Sequence, residues 1–233
     1  MTTTTVVRRD RRAGLALIAS GAIFFVAEFI TAAAWTDPPY SYTYHFISDL
    51  GVHGPSTAFG QFMYSPLAWV MNTGLILYGI SVLTGVLLLN GLPRGRRAAL
   101  VATAAVLAVG STVVALFPGS GEAFEGSAAA FHGLGAFATF GAGNVLAILA
   151  GRAHRFLGVP PRLGRFLVAA GVLGFVALVA FMVTLGSGAG VLIGFFERGV
   201  IYPFLISFIV LGTAIRAVPA DVSPRPRPGD PGR

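Results

Sequence analysis

The sequence predicts an all-α membrane protein built as a single bundle of six transmembrane helices, and three observations carry that prediction. Six apolar runs are long enough to cross a bilayer, which takes about 20 residues. Of the 233 residues, 55% are hydrophobic and 11% are charged, against about 25% charged in a soluble domain. The basic residues collect at alternate junctions between runs. The mean hydropathy of +0.78 agrees.

The runs cover about 14–35, 67–90, 98–117, 128–150, 166–186 and 190–215. Residues 1–13 form a basic leader with Arg8, Arg9, Arg11 and Arg12, and the transmembrane domain is expected over 14–216. Ala32-Ala33-Ala34 resembles a signal-cleavage site. The run before it is longer than the about 7–15 apolar residues of a signal peptide and contains Glu28, so it reads as a spanning helix. Pro66 opens the second run, where proline suits a helix start. Leu92 to Arg97 forms a tight turn carrying Arg94, Arg96 and Arg97, and Phe117-Pro118-Gly119 ends the third run. In the fourth, Gly135, Thr139 and Gly143 recur every fourth residue, as expected of a close helix contact in lipid. Residues 151–165, with Arg152, Arg155, Arg162, Arg165 and Pro160-Pro161, are long enough to lie along the interface. Gly186 to Gly190 is a very short turn, and the tail over 217–233 reads as disordered.

All sixteen basic residues are arginines, and only Arg198 lies inside an apolar run. Arginine is retained on the cytoplasmic side during insertion, so both termini are predicted inside a multi-pass protein of the cell membrane. The net charge of +7 is then used on orientation and on anionic inner-leaflet lipids rather than on nucleic acid. With no cysteine, thiol catalysis, disulfides and thiolate metal sites are excluded.

The functional signal is a polar layer near the opposite face. The long loop over 36–65 holds alternating Tyr40, Tyr42, Tyr44 and Phe46, then Ser48, Asp49 and His53; in a short helix, His45 and Asp49 would share a face. At about 1.5 Å per residue, Glu28, Asn72, His132 and the Glu197-Arg198 pair all lie roughly 8–10 Å below that loop. A charge in hydrocarbon costs at least about 2.5–3.5 kcal/mol, so such groups face inward and pair. Each also has a structural alternative: a Glu28–Arg198 ion pair, an Asn72 hydrogen-bond bridge, His132 at a helix contact, tyrosines in an interfacial belt. Glu122 and Glu125 read as solvated loop acids.

The candidate catalytic set is Asp49, Glu28, Glu197 and His132, the carboxyls as general acid or base and the imidazole as proton shuttle. Candidate substrate contacts are His45, Ser48, His53, Asn72, Arg198, Tyr44, Trp69 and Tyr202, with Arg198 suited to an acid or a phosphate. Aromatics including Tyr40, Tyr42, Tyr44, Phe46 and Trp69 could cage a cation.

Tyr42 to Gly51 (YTYHFISDLG), Pro66 to Gly74 (PLAWVMNTG), Phe117-Pro118, His132-Gly133 and Glu197-Arg198 with Tyr202 together resemble one family. It is the bacterial and archaeal membrane family catalogued as domain of unknown function family 998. More distantly the chain is similar to the FRAG/DRAM/Sfk membrane proteins, which share an ISD-G loop after the first helix. The resemblance implies six helices and an outer-side polar pocket, tilts the ligand towards lipid, and carries no activity. The residue types also invite comparison with the ceramidase-like zinc hydrolases, but those take two histidines from a late helix where this chain has Glu197-Arg198. No cofactor is therefore expected, with zinc a minor alternative.

Three function classes stay open. The chain reads first as an enzyme acting on a membrane lipid or isoprenoid, by hydrolysis or by proton-initiated cyclisation. The alternative is a lipid-binding, sensing or assembly protein, and the third is a small transporter. The sequence does not decide the oligomeric state.

Overall fold

The computed structural model describes residues 11–58, 60–119, 127–188, 190 and 192–217. Arg8 and Arg9 of the leader, Glu122 and Glu125, and the tail from residue 218 lie outside the described residues.

Six long helices form the body: α1 Arg11–Ala34, α2 Ala68–Leu87, α3 Arg94–Leu116, α4 Ser127–Arg152, α6 Pro161–Ser187 and α7 Ile193–Ala217, with the short α5 His154–Leu157 between α4 and α6. All six are long and apolar enough to cross a membrane. Their boundaries follow local chemistry. Pro161 sits in the first turn of α6, where its missing N–H costs nothing. Gly158 and Gly188 end α5 and α6 at φ of 59° and 66°, left-handed backbone that suits glycine.

Neighbours around the ring run α1–α2–α3–α4–α6–α7 and back to α1, while α4 also touches α7 across the interior. Tight crossings come from paired glycines. A Cβ on Gly110 of α3 would lie 2.8 Å from the Gly135 carbonyl oxygen of α4, and one on Gly135 would lie 2.9 Å from that of Gly110. Gly14 with Gly212 and Gly151 with Gly164 repeat the device at α1–α7 and α4–α6. The small-residue face of α4 is therefore divided, since Gly135 and Thr139 meet α3 whereas Gly143 meets Phe204 of α7. Large apolar side chains such as Val109, Leu134, Val176 and Val183 point outward, as expected where the surroundings are lipid rather than water.

Arg94, Arg96 and Arg97 lie on the first turn of α3 rather than in a free turn. Their charge opposes the helix dipole there, but Arg97 donates to the carbonyls of Leu87 and Leu89 at the end of α2. Arg96 donates to the Arg152 carbonyl at 3.1 Å and lies 4.8 Å over the Phe156 ring. The arginine end of the bundle is thus tied by guanidinium–carbonyl bonds.

At the other end, the 36–65 loop folds into the bundle mouth. It holds a 3-10 turn at Ser48–Gly51 and an antiparallel hairpin, β1 Ser56–Ala58 with β2 Gln61–Met63, which the composition does not announce. Ile47, Leu50, Val52 and Met63 are buried in the same core as Tyr78, Phe204 and Phe208. Asn72 of α2 donates to the Gly51 carbonyl at 2.9 Å, and Gly51 has no room for a Cβ beside that amide.

Candidate functional site

Two polar clusters occupy the loop end of the bundle, and adjacent residues of α7 separate them. Successive helix positions point about 100° apart, so Arg198 faces α1 while Glu197 faces the 3-10 turn and α4.

The Arg198 cluster is an anchor. Its Nε donates to Glu28 Oε1 at 3.1 Å, and its Nη2 lies 2.9 Å from the same oxygen and 2.6 Å from the Tyr40 hydroxyl. Nη1 reaches the carbonyl oxygens of Tyr42, His45 and Gly194 at 2.7, 3.2 and 3.0 Å. Tyr202 donates to Glu28 at 2.9 Å, and the Tyr40 hydroxyl donates to the Phe46 carbonyl at 2.9 Å. The guanidinium also lies 4.8 Å from the centre of the Tyr42 ring. Every nitrogen of Arg198 therefore has a protein partner, and the planar fork is what allows so many at once. Arg198, Glu28 and Tyr202, expected as site residues, here lock the loop to α1 and α7, the structural alternative for the Glu28–Arg198 pair.

His45 belongs to the anchor too. Its ring stacks on Trp35 and Tyr40 at 5.2 and 5.3 Å, and its Nδ1 accepts the Ser41 N–H at 2.8 Å. The 3-10 turn starts only at Ser48, so His45 and Asp49 do not share a helix face. Burial, with Arg198 nearby, holds the imidazole below its ordinary pKa.

The second cluster surrounds a cavity of about 120 Å³ lined by Ser48, Asp49, His132 and Glu197, with apolar walls from Phe46, Phe137, Phe140, Phe181, Met182 and Leu185. The Glu197 carboxylate accepts the main-chain N–H groups of Ile47 and Ser48, and Asp49 Oδ2 accepts that of Phe46 at 2.9 Å. The two carboxyls thus hold the chain entering the 3-10 turn, and both residues line the cavity. Burial pushes the Asp49 carboxyl well above the usual carboxylate range, and the neighbouring Glu197 pushes it the same way. Both effects favour the protonated acid over the carboxylate.

His132 Nδ1 lies 2.7 Å from the Phe117 carbonyl oxygen. A carbonyl only accepts, so Nδ1 carries the proton and Nε2 of the neutral ring bears the lone pair. Nε2 faces Gly119, another wall of the cavity, where an added Cβ would come within 3.3 Å of it. An acid, a second carboxyl and a base of fixed tautomer therefore line one small space.

The cavity floor is buried, whereas Gly133, Phe137, Met182 and Leu185, on facing flanks of α4 and α6, are partly exposed. The space opens sideways between those helices. Around it, Phe181 meets Phe46 and Phe140 edge to face, with ring centres 6.0 and 5.8 Å apart.

Four further expected contacts do not line the cavity. Trp69, at 67% exposure, and Tyr44, at 53%, point away from the cavity. His53 is exposed beside Tyr64. Asn72 is occupied in holding Gly51. Besides Phe46, which the sequence reading includes, the aromatic walls are phenylalanines of α4 and α6, which it passes over because apolar rings on membrane helices carry no distinguishing signal. Among the described residues, no group of three His, Asp or Glu side chains is placed to hold a metal ion.

A bundle of six membrane-crossing helices with this chamber at one end is an integral membrane protein. The model of the family described as Protein of unknown function (DUF998) matches residues 18–214, and the chain belongs to that family. No curated protein and no solved structure matches it.

Proposed function

We propose that this is an intramembrane acid/base enzyme of the cell membrane, acting on a lipid or isoprenoid through the cavity of Asp49, Glu197 and His132. The observation that carries the reading is the convergence of those three groups, from three separate elements, on one otherwise apolar space. The arginine-rich end is assigned to the cytoplasm by the charge rule, so the chamber lies in the outer half of the bilayer. The sideways opening suits a substrate arriving from the hydrocarbon. Every nitrogen of Arg198 is engaged by the protein and no arginine lines the cavity among the described residues, which favours a neutral reacting group.

Asp49 is the proton donor and His132 Nε2 the acceptor. The phenylalanine walls favour proton-initiated cyclisation over hydrolysis. Protonation of a double bond by Asp49 gives a carbocation that ring faces stabilise. Ring closure follows, and loss of a proton to His132 restores a double bond without any co-reactant. Release of that proton from His132 to water and reprotonation of Asp49 from water reset the site, with Glu197 holding the turn that carries Asp49.

The test is incubation of reconstituted protein with neutral polyprenyl lipids in D2O. Cyclisation adds one deuterium per product, whereas hydrolysis splits the lipid. Asp49→Asn should abolish either. A second reading, lipid binding without turnover, is favoured by the groove of about 830 Å³ between α6 and α7, apolar except for Arg198 and Tyr202. Lipid that co-purifies equally with wild type and Asp49→Asn, and is never consumed, would select that reading and discard the enzyme.

A further inference from the structure

Behind Glu197 and Ser48, on the side away from the main chamber, lies a second cavity of about 30 Å³, ringed by the polar side chains of Ser48, Tyr78, Ser111, Thr139 and Glu197. Tyr78 is fully buried, and its hydroxyl has no hydrogen-bond partner. Burying a hydroxyl unpaired is costly, and native proteins rarely leave one so. Ser111 and Thr139 already donate, to the Ala108 and Gly135 carbonyls at 3.2 and 2.8 Å, which leaves their oxygens free to accept. A buried water needs room for one molecule and two to four polar partners. Both conditions are met here, whereas a wholly apolar void of this size would stay dry.

We infer that this cavity is a binding site for one ordered water, which accepts from the Tyr78 hydroxyl and donates to Glu197 and to the Thr139 or Ser111 oxygen. The water gives Glu197 a partner on its far side, in addition to the main-chain N–H groups of Ile47 and Ser48. It also stands one side chain from the chamber, since Ser48 and Glu197 line both spaces. The carboxyl thereby gains a neighbour with which to exchange protons from behind, away from any ligand. The inference does not rest on turnover and is read without it.

The deciding measurement is a density map of the wild-type protein at a resolution that shows ordered water. A peak within hydrogen-bond distance of both Tyr78 and Glu197 is expected, and an empty cavity overturns the inference. Tyr78→Phe supplies an independent reading. If the hydroxyl holds a water, its loss lowers the unfolding temperature in detergent and shifts the infrared carboxyl band that disappears in Glu197→Gln. If the hydroxyl is an orphan, removing it leaves the unfolding temperature unchanged or raises it and leaves that band in place. Either of those latter results sinks the site, whatever the enzyme assays show.

Discussion

The Arg198 guanidinium lies 2.9 Å from Glu28, joining the last long helix to the first across 170 residues of chain. Both side chains are nearly inaccessible, so neither charge has an alternative in water. Breaking such a pair from one side leaves an uncompensated buried charge, at about 3–5 kcal/mol. Glu28→Leu should therefore lower the unfolding temperature sharply. The double variant Glu28→Leu/Arg198→Met should recover part of the loss. Equal damage from single and double variants would show that the charge itself is not what matters.

Arg198→Lys separates charge from geometry. An ammonium can still pair with Glu28 but cannot also reach the Tyr42 and His45 carbonyls and the Tyr40 hydroxyl. The bundle should stay folded while the 36–65 loop loosens, detected as faster proteolysis within that loop. A cleavage pattern identical to wild type would refute the anchoring role.

Asp49→Asn preserves shape and an acceptor for the Phe46 N–H but removes the acid. Stability near neutral pH should change by about 1 kcal/mol or less, while turnover falls at least about 10²-fold. The raised pKa also sets a pH trend. The folded state favours protonated Asp49, so this group's contribution is fully present below about pH 3.9 and is lost as pH rises through the higher folded value. The alkaline side of the stability profile should accordingly be flatter in Asp49→Asn. Parallel profiles would contradict a neutral Asp49.

His45 behaves oppositely. Its folded pKa lies below the usual value of about 6.5, so its contribution is complete above that pH and is lost as pH falls through the folded value. Protonation also removes the lone pair that accepts the Ser41 N–H and adds a charge near Arg198. In a Trp69→Phe background, Trp35 fluorescence should be quenched on acidification, with a midpoint below about 6.5. A midpoint above that value would overturn the assignment.

Gly110→Val tests the α3–α4 crossing. The first added carbon would already lie 2.8 Å from the Gly135 carbonyl oxygen. Overpacking of this kind costs about 1–3 kcal/mol, and Gly133→Val, with open space around it, should cost much less. Equal unfolding temperatures for the two variants would argue against the close crossing.

Depth was legible in the sequence because helix rise is nearly constant, and that alone groups Glu28, His132 and Glu197 in one stratum. Azimuth was not. Nothing in Glu197-Arg198 says that one side chain joins the chamber and the other the anchor, since that depends on how α7 is rotated against α1 and α4. Asp49 and Ser48 reach the chamber because Ile47 and Leu50 draw the loop inward, a tendency visible in their apolar character. Trp69 and Tyr44 point away because the same aromatic residues serve equally well at a lipid boundary. The hairpin escapes notice because three-residue strands leave no periodicity to read.

The anchor has a consequence for biosynthesis. Glu28 leaves the ribosome long before Arg198 exists, so the first segment to enter the bilayer carries an acid whose counter-ion arrives with the last. Until then the carboxyl lacks its guanidinium partner in a segment where an unpaired ionisable group is costly. The final helix thus completes an ion pair that the first begins, and a product truncated before residue 198 lacks the guanidinium partner of Glu28.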